Sequence, residues 1–365
     1  MIRILHMIGS LNIGGSQAMI MNLYRNIDRE KIQFDFIIDH SDHLYFADEI
    51  KSMGGEIFVL PSFTGTNIVK IKRAWDDFFS NHSEYRILHS HVRSYASIYL
   101  PIAKKHGVKT IIHSHSTSNG KGISSIVKTI MQYPLRYQAD YFFGCSKEAG
   151  EWLFGKKIVN SNRYFMLKNA INLSSYRPNE DMRKSYRLKI GAAENTVVFI
   201  HVGRFHEAKN HLFLLEVFSA YLKININSLL VLVGDGELRP IIENKINELK
   251  ILGKVIILGA RNDVPNWLRA ADCFLFPSKW EGLPVTVVEA QAAGVPCLIS
   301  DKITKDVVIS KLVTVLPIDT GVNIWSKELQ ESNLEKQNVE DKIKENGFDI
   351  TDSCTWLTAF YRKIS

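Results

Sequence analysis

Residues 273–290 read CFLFPSKWEGLPVTVVEA and hold one complete strand–loop–helix unit. The apolar run Cys273–Phe276 is typical of a buried strand, which ends at Pro277. The loop after it presents, in order, Glu281, Gly282, Leu283 and Pro284. A helix is expected to begin directly after this loop, near Val285. Because free backbone N–H groups at a helix start bind anions, the unit predicts a site for phosphate or sugar oxygens.

A second glutamate, Glu289, lies about one turn inside the same predicted helix, eight positions after Glu281. Its neighbours in the helix are mostly apolar, and a carboxylate in such a place is costly unless it is hydrogen-bonded. A pair of vicinal hydroxyl groups, such as those of a ribose, is a natural partner. The sequence therefore predicts that Glu289 binds a ribose.

Outward from this unit, short apolar runs alternate with helix-length segments along the whole chain. Strands are predicted at Ile2–Ile8, Phe34–Ile38, Ile57–Leu60, Ile87–Ser90, Thr110–His113, Tyr141–Cys145, Arg163–Leu167, Thr196–Val202, Ser228–Val233, Val255–Leu258, Cys273–Phe276 and Pro296–Ile299. Helices are predicted at Gln17–Asn26, Asn210–Lys223, Gly236–Leu252, Val264–Ala271 and Val285–Ala293. This alternation favours an α/β fold with parallel sheets covered by helices on both faces.

The chain of 365 residues is long enough for two domains. The strand–helix pattern restarts near residue 196, after a polar stretch at 172–195 that is predicted to contain little helix. We therefore expect two Rossmann-like, doubly wound domains at 1–172 and 173–345. The remaining segment, 346–365, carries a last helix at Ser353–Lys363 that is expected to cross back to the first domain. Ligands of such sheets bind at the carboxyl ends of the strands, so the expected site is a central cleft.

Two further loops follow predicted strands. The first, 8–16, contains Gly14 and Gly15, which allow positive φ or the close approach of a ligand before the next helix. The second, 201–210, places Arg204 and Lys209 around the start of a helix, an arrangement that suits a diphosphate. Each loop alone is also consistent with a tight turn or with two surface cations.

Composition and charge exclude several classes of protein. Hydrophobic residues make up 45% of the chain, which excludes a disordered protein, and no apolar run approaches the roughly 20 residues of a membrane span. The N-terminus is interpreted as a strand, not a signal peptide, and four scattered cysteines indicate buried, reduced thiols in a cytoplasmic protein. The first 172 residues hold 21 basic and 14 acidic side chains, whereas the rest hold 24 of each. This asymmetry suggests either an anionic partner or a solvated face.

Taken together, the loops resemble those of the retaining, nucleotide-sugar-dependent glycosyltransferases of the GT-B fold, family 4. The stretch Ile299–Lys305, with Trp325 downstream, most closely resembles members that build exopolysaccharide or capsule. Glu281 and Glu289 match the EX7E motif of that family, and the loop with Gly203, Arg204 and Lys209 matches its G-R-x…K loop. Further matches are Gly14-Gly15, Ser146-Lys147 and Asn169–Asn172. The sequence departs from the family pattern at Ala170, where a glycine is usual, and after Asp301, where a Gly-Gly pair is missing.

The resemblance implies a role for each matched residue. Arg204 and Lys209 would neutralise the donor diphosphate, Glu281 would bind the transferred sugar, and Glu289 would hold the ribose. The other implied donor contacts are Gly14, Gly15, Gly203, Arg261, Gly282, Leu283 and Pro284. The implied chemistry is displacement on the front face of the sugar, with the leaving phosphate accepting the proton, so no protein nucleophile, cofactor or metal is expected.

Two His-x-His pairs, 89–91 and 113–115, end apolar runs. Residues i and i+2 of a strand share a face, so each pair supplies half of a metal site, but no acidic or cysteine cluster completes it. The family places a histidine near the transferred sugar, and His115 is the first choice for this role and His113 the second. His91 is a further candidate for contact with the sugar or the acceptor. The alternative is that these are hydrogen-bonded structural histidines.

The acceptor implied by the resemblance is a lipid-linked oligosaccharide or a polysaccharide, and the implied donor is a UDP-sugar. Residues 121–136 are apolar and basic, and they either touch an anionic membrane or pack on the sheet. The expected location is thus the cytoplasm, at the inner face of the membrane. Rival interpretations are a nucleotide-sugar epimerase or hydrolase of the same fold, a non-catalytic partner subunit, and a nucleic-acid binder. No recognisable nucleic-acid module supports the last of these.

Overall fold

A computed structural model describes residues 1–12, 14–40, 44–116 and 123–365, without the side chains of residues 123 and 124. The chain forms two compact units, one of residues Met1–Ala170 with Ile350–Ser365 and the other of Ile171–Asp349. Sequence analysis placed the corresponding boundaries at 172 and 345. The predicted α/β fold class is confirmed, because each unit is a Rossmann-like parallel sheet.

The described residues of unit 1 form a seven-stranded parallel sheet in the order β3-β2-β1-β4-β5-β6-β7. Its strands are β1 Ile2–Met7, β2 Ile32–Ile38, β3 Ile57–Val59, β4 Ile87–Ser90, β5 Lys109–Ser114, β6 Tyr141–Gly144 and β7 Tyr164–Met166. Its first helices are α1 Gly15–Asn26, α2 Ala47–Ser52, α3 Ile68–Asn81, α4 Ala96–Lys105, α5 Ile123–Gln132, α6 Leu135–Gln138, α7 Lys147–Phe154 and α8 Lys156–Val159. Two apolar cores, one on each face, bury the strands from both sides.

Unit 2, all of whose residues are described, is a six-stranded parallel sheet in the order β10-β9-β8-β11-β12-β13. Its strands are β8 Val197–Val202, β9 Ser228–Val233, β10 Val255–Gly259, β11 Cys273–Phe276, β12 Cys297–Ser300 and β13 Val313–Leu316. Its helices are α9 Glu180–Lys189, α10 His211–Leu222, α11 Arg239–Glu248, α12 Val264–Ala270, α13 Val285–Ala292, α14 Val322–Glu331 and α15 Glu340–Glu345. As in unit 1, an apolar core covers each face of the sheet.

The last helix, α16 Ile350–Ile364, belongs to unit 1. It packs against α1 and buries Leu357 and Tyr361 in the core on that face of the sheet. Tyr361 extends further, and its hydroxyl lies 2.6 Å from Nδ1 of His89. The C-terminal helix thus contributes directly to the polar end of the unit 1 sheet.

The prediction of little helix at 172–195 is wrong, because α9 occupies the middle of this stretch. Asn179 caps it by accepting a hydrogen bond from the N–H of Met182 at 2.9 Å. Arg183 and Arg187 of this helix lie 2.5 and 3.1 Å from Asp272. Both also donate hydrogen bonds to the carbonyl group of Ala270, the last residue of α12. The packed side of α9 therefore carries arginines where an amphipathic helix usually has apolar residues, so the hydrophobic pattern does not predict this helix.

Among the described residues, no helix is both long and apolar enough to cross a bilayer. The four cysteines, all in the described part of the chain, are buried, and none forms a disulfide bond.

Candidate functional site

The loop after β8 is held by a close approach of two backbone segments in unit 2. The N–H of Gly203 donates to the carbonyl of Val233, and a Cβ atom at Gly234 would overlap the carbonyl oxygen of Gly203. Gly234 also has φ of +141°, a conformation that favours glycine. A Cβ atom at Gly203 would lie 2.9 Å from Cε of Lys209. The absence of a side chain at Gly234 therefore allows the two backbone segments to approach, and its absence at Gly203 makes room for the Lys209 side chain.

Lys209 and Glu281 form an ion pair in which Nζ and Oε1 are 2.7 Å apart. Both side chains are largely buried, with 16% and 17% of their surface exposed, and Nζ also lies 4.6 Å from the centre of the Phe276 ring. The contact has ion-pair distance without hydrogen-bond alignment, so Glu281 Oε1 still lacks an aligned donor among the described residues. The structure thus joins residues that the sequence assigned to two different roles, one to phosphate and one to sugar.

Three side-chain oxygens in the strand–loop–helix segment 273–290 are buried and have no hydrogen-bond partner among the described residues. They are Ser278 Oγ, Glu281 Oε1 and Thr286 Oγ1. Helix α13 begins within the same segment. Its first residue follows Pro284, which provides no side-chain cap for the helix N–H groups. Buried polar groups without partners are rare in folded proteins. Their concentration around one helix start indicates a binding site for a polar, oxygen-rich ligand.

Glu289 lies on α13 and hydrogen-bonds to the hydroxyl group of Tyr176. Burial raises the pKa of the Glu289 carboxyl group, and the hydrogen bond from Tyr176 opposes this rise. Tyr176, at the end of a short 3-10 helix at Leu173–Tyr176, was missed by sequence analysis. Nothing in its sequence neighbourhood indicates that this side chain reaches a glutamate more than 100 positions away.

The two other predicted cations lie apart from the Lys209–Glu281 pair. Arg204 is exposed, and its Nη2 is 3.1 Å from Oε2 of Glu237. Arg261 makes two hydrogen bonds of 2.8 Å to Asp263, whose carboxylate also accepts from the Tyr186 hydroxyl. Arg204 is therefore held by a carboxylate of the loop after β9, and Arg261 by a carboxylate of its own loop. Of the other predicted donor contacts, Gly282 is exposed, and Leu283 and Pro284 lead into α13.

In unit 1, the glycine loop after β1 lines a cavity of about 1000 Å³ through Gly9, Ser10 and Asn12. Gly14 precedes α1 with φ of −162°, and Gly15 is the first residue of that helix. Neither has positive φ, so the structure does not use the left-handed conformation that the glycines allow. A Cβ atom at Gly14 would meet Oε1 of Gln17 at 2.6 Å, which is the end of a flexible side chain.

The two His-x-His pairs lie side by side at the carboxyl ends of β4 and β5. Nδ1 of His91 is 2.8 Å from Nε2 of His115, and Nε2 of His89 is 3.3 Å from Nδ1 of His113. A fifth histidine, His6 of β1, places Nδ1 3.0 Å from Nε2 of His91. His6 was not predicted because it lies inside an apolar run. The available signal was that His6 occupies an inward-alternating position of β1, which the register pairs with His89 of β4.

Two doubly wound parallel domains, with polar loops at the ends of their strands, define the class of GT-B glycosyltransferases. Solved structures of this class match the chain along its length. A crystal structure of Anabaena Alr3699/HepE in complex with UDP has a TM-score of 0.78 at 14% identity, covering all of both chains. A glycosyltransferase from Rickettsia africae ESF-5 has a TM-score of 0.80 at 15% identity, covering 100% of this chain and 98% of the other.

Sequence comparisons identify the family. Residues 13–175 match the profile described as Glycosyltransferase Family 4, and residues 182–349 match that described as Glycosyl transferases group 1. A protein of Bacillus subtilis (strain 168) named as the glycosyltransferase EpsF is 33% identical over 98% of this chain and 96% of its own. An Escherichia coli UDP-Gal:alpha-D-GlcNAc-diphosphoundecaprenol alpha-1,3-galactosyltransferase is 24% identical over 93% and 91%. The chain therefore belongs to glycosyltransferase family 4, as its sequence motifs predicted.

Proposed function

We propose that this glycosyltransferase moves a sugar, with retention of configuration, from a UDP-sugar to a lipid-linked or polysaccharide acceptor in exopolysaccharide or capsule synthesis. The observation that carries the proposal is the Lys209–Glu281 pair, together with the unpartnered hydroxyl oxygens of Ser278 and Thr286 in the same strand–loop–helix segment. The relatives support the donor and the acceptor. HepE was crystallised with UDP, and the E. coli relative is named for UDP-Gal and a diphosphoundecaprenol-linked acceptor.

The proposed mechanism begins with an exchange of partners at the ion pair. A bound diphosphate attracts Lys209, and Glu281 then accepts hydrogen bonds from hydroxyl groups of the donor sugar. N–H groups at the start of α13, beside Gly282, Leu283 and Pro284, donate to phosphate oxygens. Glu289, supported by Tyr176, accepts from the ribose. Arg204 leaves Glu237, with which it forms an exposed ion pair, to reach the diphosphate.

Transfer breaks the bond between the anomeric carbon and the leaving phosphate oxygen. The acceptor hydroxyl forms the new bond on the same face, and its proton passes to the leaving phosphate. Lys209 and Arg204 stabilise the negative charge that develops on that phosphate. We propose that these cations make the step independent of a metal ion. For the first domain, the family resemblance assigns His115 to the transferred sugar and His91 and His113 to the sugar or acceptor.

Retention is tested by the configuration of the product. The protein is incubated with UDP-sugars of known α configuration and a lipid-linked acceptor, and the new linkage is assigned by NMR. We expect an α-linkage, formed at an unchanged rate in EDTA. A β-linked product would refute front-face displacement, and complete loss of transfer in EDTA would refute the metal-independent step.

Glu289→Gln tests the ribose contact. This change keeps the side-chain shape but removes the negative charge, and hydrogen bonds to charged groups contribute about 1.5–3 kcal/mol. We expect the affinity for UDP, measured by calorimetry, to fall about 10- to 100-fold. Glu248→Gln, at the exposed end of α11, serves as the matched control and should bind UDP like the wild type. Equal affinities of both variants would contradict the assignment of Glu289.

Contact with an anionic membrane is proposed for α5. The helix exposes Ile126, Val127 and Ile130, which are 61%, 50% and 67% exposed, and no acidic residue occurs between Glu84 and Asp140. Residues 121 and 122 of the predicted segment lie outside the described residues. An apolar face beside basic residues, such as Lys128, suits the headgroup region of an anionic bilayer.

Ile126→Ser with Ile130→Ser should weaken this contact. The two side chains lose the burial that a bilayer would give them, and we expect binding to phosphatidylglycerol vesicles to fall at least about tenfold in flotation assays. Ile226→Ser, which changes an equally exposed isoleucine of unit 2, should leave binding unchanged. Undiminished flotation of the double variant would contradict the role of α5.

A further inference from the structure

Five histidines share one face of the unit 1 sheet at the carboxyl ends of its central strands. The register pairs His6 of β1 with His89 of β4, and His91 follows two positions later. On the neighbouring strand β5, His113 and His115 are again two positions apart. Because strand side chains alternate between faces, all five imidazole rings meet on one side. His6, His89 and His113 are at most 1% exposed.

The rings form two hydrogen-bonded rows. One row joins His6, His91 and His115 through N···N contacts of 3.0 and 2.8 Å. The other joins Tyr361, His89 and His113 through contacts of 2.6 and 3.3 Å. Ring nitrogens at the ends of the rows have no hydrogen-bond partner among the described residues: Nε2 of His6 and Nδ1 of His115 in the first row, and Nε2 of His113 in the second. Buried nitrogens without partners are costly, and Nε2 of His113 is available to a ligand because Nδ1 of the same ring contacts His89.

His113 and His115 lie close to His91. The stacked ring centres of His113 and His115 are 4.0 Å apart, and one ring nitrogen from each of His91, His113 and His115 lies within 4.8 Å of the others. A tetrahedral ion with bonds of about 2.0–2.1 Å separates its ligand nitrogens by roughly 3.3–3.4 Å. An ion bound by Nδ1 of His91 and Nε2 of His115 would replace the proton of their 2.8 Å hydrogen bond and widen this contact by about 0.5 Å. The stacked rings of His113 and His115 would tilt towards the ion.

Metal-bound histidines usually donate their second ring N–H to a neighbouring group, which fixes the ring. Such partners are already in place, because His6 Nδ1 faces Nε2 of His91, and His89 Nε2 faces Nδ1 of His113.

The chemistry of the group selects the kind of ion. Three neutral imidazoles without a carboxylate suit zinc and similar transition metals, whereas Mg²⁺ and Ca²⁺ prefer oxygen ligands. The positive charge of Arg93, which lies near His115, opposes any cation and limits the affinity. His91 lines the cavity of about 1000 Å³, which offers a path for an ion and its water.

We propose that His91, His113 and His115 bind one divalent transition-metal ion of the zinc type, with at least one coordination position left for water. The proposal does not depend on the identity of the donor, and the proposed transfer step uses no metal ion. Because His91, His113 and His115 are also proposed to contact the sugar or the acceptor, metal binding is measured without donor and acceptor.

The test uses tag-free, metal-stripped protein. Zn²⁺ is titrated by competition with a chromophoric chelator, and Co²⁺ binding is followed by visible absorption. We expect one equivalent of metal and the intense absorption of tetrahedral Co²⁺. His113→Gln with His115→Gln should weaken binding about a hundredfold or more. The matched control is His82→Gln with His106→Gln, which removes two unit 1 histidines paired with Glu84 and Asp76. It should bind like the wild type.

Circular dichroism and thermal unfolding establish that each variant is folded. If the double variant does not fold, His115→Gln alone decides, because this residue follows β5 and is only partly buried. Wild-type affinity in the folded double or single variant would overturn the proposal. Less than half an equivalent of Zn²⁺, or a Co²⁺ spectrum of purely octahedral form, would overturn it as well.

Discussion

Lys209→Met is expected to reduce sugar transfer about 100- to 1000-fold, because it removes a positive charge from the developing charge of the leaving diphosphate. The ammonium group is held in a largely buried position by Glu281 and by the ring of Phe276. Methionine keeps most of the side-chain volume, so the loss should appear in transfer and not in folding. Initial rates with a saturating acceptor and a range of donor concentrations measure the effect.

Lys279→Met is the matched control for Lys209. Lys279 also belongs to unit 2, but its side chain is 41% exposed and forms an ion pair with Glu207 at the surface. Its replacement should change transfer by less than about threefold, as expected for an exposed ion pair. If Lys209→Met retained a tenth or more of the wild-type rate, the leaving-group role of Lys209 would be wrong.

A large pH-dependent change in stability is expected at Lys336. Its Nζ donates to the carbonyl of Arg269 at 2.6 Å, and burial, together with the charge of Arg183, lowers the pKa of its amino group to about 7. In the unfolded chain this pKa returns to about 10.5. Between these two values the unfolded state binds more protons, so the free energy of unfolding rises with pH.

Lys336→Met removes this dependence. Relative to the variant, the wild type should gain about 3 kcal/mol of unfolding free energy between pH 7 and pH 9.5, measured by urea unfolding. Conversely, this contribution is lost as the pH falls towards 7. Lys327→Met, at a lysine of α14 whose side chain is 66% exposed, controls for general alkaline effects. A difference between wild type and Lys336→Met that stays constant with pH would show that Lys336 is not buried as described.

The parallel sheets were predictable because their strands are continuous apolar runs. The predicted strands at Ile87–Ser90, Ser228–Val233 and Cys273–Phe276 have the observed bounds. Helix α9 was not predictable in the same way, since Arg183 and Arg187 bury their guanidinium groups against carbonyl groups far along the chain. Strand β13 was missed as well. Its residues, Val313–Leu316, are mostly apolar and β-branched, so the strand signal was present in the sequence although the residues are only partly buried or exposed in the fold.

For the candidate site, the sequence indicated the loops but not the contacts. Glu281 and Lys209 were assigned separately, and their pairing depends on how the ends of β8 and β11 lie in the sheet. Tyr176 and His6 reach their partners only through tertiary packing and strand register. Residue type and spacing therefore identify loops that carry chemistry. The partner of each side chain depends on long-range structure.

Binding of UDP to unit 2 tests the central proposal most directly. Thermal unfolding of the wild type and of Lys209→Met is measured with UDP, GDP and ADP, each with and without EDTA. A ligand that binds only the folded state adds about 2.7 kcal/mol at a hundred times its dissociation constant. We predict a clear rise in the unfolding midpoint with UDP that persists in EDTA and is lost in Lys209→Met. No rise with any nucleotide, or the same rise in the variant, would contradict a diphosphate site at Lys209 and Glu281.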